Sequence, residues 1–274
     1  MLIPIGGFVL FLAFKFVRDG LMEHRLQPVA PPVQASMEPR LQPGAKPAKA
    51  GAPLRHRGNI VLILDDVGFD NQPLASAMQI DPNLNFSVLP NAARAHDVAE
   101  TLHHNGFEVL CHLPMEPLDA RNSPGANAVT TQMSDAEIAR TTRADIASVP
   151  FAAGVNNHMG SRATRDARVM ASVLGALPKG MYFIDSRTAP GSVAERIARE
   201  MKIPTAGRNV FLDDVQRESA VRQQLDQLAE AAEERGVAVG IGHMYDVTVR
   251  VLHDEVPNLR SRGFRLLRAS EAVE

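Results

Sequence analysis

From residue 59 onward the chain alternates between two hydrophobic rhythms. Short runs of apolar residues, rich in Val, Ile and Leu, predict strands at 60–64, 84–89, 108–112, 153–156, 181–185, 205–211, 237–242 and 264–267. Between them lie stretches with apolar residues at helical spacing. Some of these carry start and stop signals. "SDAE" (Ser134, Glu137) and "SVAE" (Ser192, Glu195) have the spacing of capping boxes. "DVAETLHHNG" and "LDQLAEAAEERG" end on Gly106 and Gly236, residues suited to the left-handed turn that closes a helix. Strand–helix alternation implies parallel strands joined by crossovers. Seven or eight such units predict an α/β fold, a distorted or incomplete (β/α) barrel, over residues 58–274.

The first 57 residues follow neither rhythm. Residues 2–14, "LIPIGGFVLFLAF", are apolar without a break, shorter than the roughly 20 residues of a full span. Residues 1–24 read as a signal anchor or signal sequence that exports the rest, placing it in the periplasm or facing the envelope, tethered to the inner membrane. Residues 25–57 hold seven of the nineteen prolines, with Ala, Gly and basic residues. Such a segment cannot bury enough surface to fold and reads as a flexible linker.

Composition narrows the partners. A net charge of −2 gives no basic field for nucleic acid. Trp is absent and Tyr occurs twice, so a base-stacking platform is not expected either. The single cysteine, Cys111, excludes an internal disulfide and a cysteine-based zinc cage. Set in "FEVLCHL", it reads as a small buried hydrophobe.

The polar residues then fall in one register. Just past the apolar runs come Asp65 and Asp66; Pro90 and Asn91; His112 and Glu116; Asn156, Asn157, His158, Ser161 and Arg162; Asp185, Ser186 and Arg187; Asp213 and Asp214; and His243. Strand C-termini of a β/α barrel share one rim, so these groups should converge there. Each alone has a structural alternative: paired aspartates cap helices, and a strand-end histidine is commonly a hydrogen-bonded structural residue. Two Asp, three His and a Glu on one mouth point instead to a metal site. Nitrogen and carboxylate donors suit zinc first, with cobalt, nickel or manganese as alternatives. One aspartate would bind the ion and its neighbour handle a proton, so the two must ionise differently. His96, His103, His104 and His253 read as surface.

"ILDDVGF", "EVLCHLPMEP", "GVNNHMGSRAT", "YFIDSRT", "RNVFLDD" and "GIGHM", in this order, resemble the divergent polysaccharide deacetylase family, a remote branch of the NodB-like polysaccharide deacetylases. The resemblance covers nearly all of the folded part. It implies a metal-dependent hydrolase removing acetyl groups from an envelope polysaccharide or a peptidoglycan-like glycan. By motif, Asp65 is implied as general base, Asp66 and His112 as metal ligands, and His243 as general acid. The family's second motif histidine is replaced by Glu116, leaving His158 as the favoured third ligand and Glu116 as the alternative. Asn156, Asn157, Arg162, Asp185 and Arg187 are expected to bind substrate. A degenerate, non-catalytic glycan-binding or regulatory protein on the same fold is the competing expectation.

Overall fold

A computed structural model describes residues 55–274. The expected anchor and nearly all of the linker lie outside the described residues. No described helix is long and apolar enough to cross a membrane.

The described part is an α/β fold built on one parallel sheet. Its strands are β1 (Gly58–Val67), β2 (Asn85–Val88), β3 (Glu108–Met115), β4 (Ala152–Met159), β5 (Tyr182–Asp185), β6 (Thr205–Gly207), β7 (Val210–Phe211), β8 (Val237–His243) and β9 (Phe264–Leu267). The order across the sheet is β6-β5-β4-β3-β2-β1-β8-β7. β9 pairs with the first residues of β1, Gly58 to Val61, below the point where β2 begins its own pairing at Ile63. Flanking helices are α1 (Leu74–Ala77), α2 (Ala95–His104), α3 (Asp135–Ser148), α4 (Ala167–Gly175), α5 (Ala194–Glu200), α6 (Glu218–Arg235) and α7 (Asp246–Ser261).

Alternation along each strand sorts two cores. Ile60, Leu62, Leu64, Phe86, Val88, Val109, Cys111, Val155 and Phe183 belong to the large outer core, packed with the helices. Val61, Ile63, Leu110, Tyr182, Ile184, Val239 and Ile241 fill the inside of the curl. Each fully buried large aliphatic or aromatic side chain contributes about 1.5–3 kcal/mol. Gly154 leaves room for the Tyr182 ring, which a Cβ at that position would strike. The inner core thus closes the floor, and the open end carries the polar residues.

Two local expectations fail for identifiable reasons. Residues 205–211 form two strands, not one. β6 pairs with β5 and β7 pairs with β8, and the chain crosses between the two ends of the sheet at Arg208 and Asn209. The Arg208 N–H donates to Asp185 O and the Asn209 N–H to Val239 O, so the crossing is itself hydrogen-bonded. The "SVAE" box does not form. Asp185 accepts from the Ser192 hydroxyl at 2.7 Å and from the Glu195 N–H at 3.4 Å, taking the role expected of Ser192. The Ser134–Glu137 box forms as expected, and Gly106 and Gly236 have φ of 84° and 83°.

Candidate metal centre and catalytic cluster

The strand parity that builds the inner core also builds the site. Val61 and Ile63 are followed on the same face by Asp65, Leu110 by His112, Gly154 by Asn156, Tyr182 and Ile184 by Ser186, and Val239 and Ile241 by His243. Register places Asp65 beside His243 and His112 beside Asn156.

Asp66 should by alternation point away from Asp65. It does not, because β1 spends three residues where β2 spends two, between Leu64 and Val67, and Asp66 has φ of 57°. A bulge with a left-handed non-glycine residue costs on the order of 1–3 kcal/mol and re-aims a side chain. Here it brings both carboxylates to one mouth.

Asp66 Oδ1 lies 2.9 Å from His158 Nδ1 and 3.3 Å from His112 Nε2. Although buried, that oxygen has no hydrogen-bond partner of acceptable geometry. One donor atom from each of Asp66, His112 and His158 lies within 4.8 Å of the others. Lone pairs that converge on a common point without bonding one another fit a divalent cation. His112 is prepared for this: its Nδ1 lies 2.8 Å from Asn156 Oδ1, an acceptor only, so Nδ1 carries the proton and Nε2 is free to ligate.

Asn156 is fully buried and also holds Asp65, donating from Nδ2 to Asp65 Oδ1 at 2.9 Å, while its oxygen accepts from the Ser87 hydroxyl. On the opposite side, His243 Nδ1 lies 2.9 Å from Asp213 Oδ1, and its Nε2 lies 3.8 Å from Asp66 Oδ2. Asp213 is fixed in turn by the His243 N–H at 2.6 Å and the Thr248 hydroxyl at 2.7 Å. The Tyr245 ring stacks on His243 at 5.2 Å and Phe211 meets it edge-on at 5.3 Å.

The two aspartates do ionise differently. Burial pushes the Asp65 carboxyl up, against the opposing pull of His112 and His243. Burial acts upward on Asp66 as well, but the imidazoles of His112 and His158 beside it override that and hold the carboxyl far below the usual range. Burial would lower His243; its bond to Asp213 and the nearby carboxylates outweigh that and raise it to about 9. Burial likewise acts against the charged His112, and Asp65 and Asp66 reverse the balance, raising it.

These groups line a cavity of about 490 Å³ together with Asn157, Ser186, Arg208, Phe211, Asp214 and Tyr245. A larger hollow of about 700 Å³ lies elsewhere, among the ion-paired Arg187, Glu195 and Arg199, and shares no lining residue with it.

Several expected site residues lie apart from the cluster. Glu116 is not in the Asp66–His112–His158 group: its carboxylate accepts from Thr131 N–H at 2.7 Å and Oγ1 at 2.8 Å, and faces Arg162 at 3.3 Å. Arg162 is exposed, turned to Glu116 and the Leu118 carbonyl. Asp185 faces outward, capping α5 and the Arg187 N–H, and Arg187 pairs with Glu195. Asn156, fully buried, bonds Asp65 and His112 and is not among the residues that line the cavity. Asn157 lines the cavity, but its oxygen accepts from Ser186 N–H and its nitrogen donates to Met159 O. Strand parity would have chosen Ser186 over Asp185. Arg208 and Tyr245 carried no such signal, lying in a crossing and a loop.

Among known proteins, the uncharacterized protein YibQ of Escherichia coli is 38% identical over 74% of this chain, which spans 63% of that relative's length. An uncharacterized protein of Haemophilus influenzae is 31% identical over 74% of this chain and 72% of its own. The crystal structure of an uncharacterized protein of Agrobacterium tumefaciens superposes with a TM-score of 0.76 at 19% identity, over 80% of this chain and 90% of that one, a likeness of fold. The family model described as divergent polysaccharide deacetylase matches residues 62–273. With nearly the whole described part matched, the chain belongs to the divergent polysaccharide deacetylase family.

Proposed function

We propose that the protein is a metal-dependent hydrolase that removes acetyl groups from a glycan of the cell envelope. The observation that carries this reading is the gathering of Asp65, Asp66, His112, His158 and His243 around one cavity. Asp66, His112 and His158 would hold the ion, zinc being the best match to two imidazoles and a carboxylate. A divalent ion there would supply Lewis acidity to the acetyl carbonyl and acidify a water.

The chain's own residues divide the proton work. Asp65, held through Oδ1 by Asn156, keeps Oδ2 available to take the proton of the attacking water. Its raised pKa makes it a stronger base than an exposed carboxylate. His243, kept protonated by Asp213, donates from Nε2 to the departing amine or alkoxide. Export of the domain by residues 1–24 belongs to the same reading and rests on sequence; fractionation of cells producing the full chain would place it in the envelope.

The test is hydrolysis of acetylated glycans by the purified protein with zinc, beside metal analysis of variants. Asp65→Asn should keep the metal and lose at least about 100-fold in turnover, the usual scale of general-base catalysis. His158→Ala should lose metal and activity, and Glu116→Ala should keep both. Bound metal without turnover on any acetylated glycan would overturn the reading.

A further inference from the structure

The wall of the cavity formed by the end of β5 and the crossing from β6 to β7 has two groups that the proposed hydrolysis does not use. The first is Arg208, at the crossing between the sheet ends. Its guanidinium is fixed: Nε donates to Ser186 O at 2.6 Å, Nη2 donates to Arg187 O at 2.7 Å, and its plane lies over the Phe211 ring at 4.9 Å. Both fixed partners are neutral carbonyls. Among the described residues Nη1 has no hydrogen bond and no carboxylate lies within ion-pairing distance. Asp65, Asp185 and Asp214 act on it only through space, while burial and Arg187 oppose its charge. A half-buried cation normally has a counter-charge, because desolvation is otherwise uncompensated.

The second group is the Ser186 hydroxyl. Ser186 is 4% exposed, lines the same cavity, and its Oγ bonds nothing. An unsatisfied buried hydroxyl costs about 1–3 kcal/mol, so its persistence at a cavity wall points to a bonded state not formed by the protein alone. The two groups are neighbours, since Arg208 Nε holds the Ser186 carbonyl. A carboxylate has two acceptor oxygens, one for Nη1–H and one for Oγ–H, and it carries the charge that Arg208 lacks. A neutral acetyl carbonyl would satisfy neither the charge nor both donors.

We propose that Ser186 and Arg208 form a subsite for a carboxylate carried by the glycan itself, so that the substrate is an acidic acetylated saccharide. This rests on the cavity being the glycan site, not on its turnover, so binding is the readout. The full chain with zinc would be titrated calorimetrically with three probes: a neutral oligomer of N-acetylglucosamine, an oligomer alternating N-acetylglucosamine with a uronic acid, and one containing a lactyl-ether carboxylate. At least one acidic probe should bind about tenfold or more tighter than the neutral one, and which one identifies the source of the carboxylate. Arg208→Gln should abolish that preference while leaving neutral binding within about twofold. Because Ser186 Oγ bonds nothing in the protein, Ser186→Ala is the variant safe for folding; it should weaken acidic binding about threefold and spare the neutral probe. Selective acidic binding without turnover would sustain the subsite and sink the hydrolase. Equal losses on acidic and neutral probes, or no preference in the unmodified protein, would overturn the subsite.

Discussion

Asp213 shows how a single side chain sets the proton inventory of the site. His243 is raised to about 9 against its ordinary 6.5, through its bond to Asp213 and the carboxylates around it. A raised histidine contributes stability that is complete below its unfolded value and lost as pH rises through about 9. If His243 is the acid of the proposed reaction, turnover should likewise fall on an alkaline limb near pH 9. Asp213→Asn should move that limb about one unit or more to lower pH, and a His243 NMR titration should follow it. An unmoved limb would remove His243 from the reaction. Asn156 acts one step earlier, on tautomer and orientation. Asn156→Leu frees Asp65 and lets His112 adopt either tautomer, so metal affinity should drop about 10- to 100-fold by competition with a chelator.

At the level of elements, α3 carries a liability on its buried face. Asp145 is 3% exposed, its Oδ2 has no partner, and the Thr142 hydroxyl one turn earlier is also unpartnered. Burial raises Asp145 to about 7. A raised carboxyl is protonated in the fold while the unfolded chain has already ionised, so stability falls as pH climbs from about 4 to about 7. Asp145→Asn should therefore raise stability at pH 8 by about 1–3 kcal/mol and flatten the thermal midpoint across that window, as calorimetry would record.

Elements are also where reading from sequence succeeded and stopped. The apolar runs located the strands because parallel strands buried on both faces must be apolar throughout. The polar residues past them located the mouth for the same reason. The runs could not say which of two adjacent polar residues turns inward at "NN" or "DSR". Counting twos from Val61, Leu110, Tyr182 and Val239 answers this for Asp65, His112, Ser186 and His243. It fails at Asp66, where the bulge breaks the count. Glu116 lay within reach of the mouth by spacing, but Thr131, from the long connection to α3, captured it. A partner so distant in sequence leaves no local signature. Cys111 behaved as its setting implied: fully buried, with burial pushing its thiol well up.

Over the whole molecule, floor and mouth of the curl are complementary. The floor is closed by Tyr182 over Gly154, with the Tyr182 hydroxyl bonded to Glu108 at 2.7 Å. Gly154→Ala forces that ring aside and should cost about 1–3 kcal/mol by denaturant titration, with the metal site intact. The rim is less uniform. The ladder runs unbroken from β6 through β1 to β7 and then stops, so the curl is joined end to end by two residues of main chain where a closed barrel of these eight strands would have an eighth row of bonds. Thermal breathing of the sheet must begin at that join. Amide deuterium uptake should be fastest at β6 and β7 and slowest at β1 and β3, so the wall bearing Arg208 is the part of the mouth with most give.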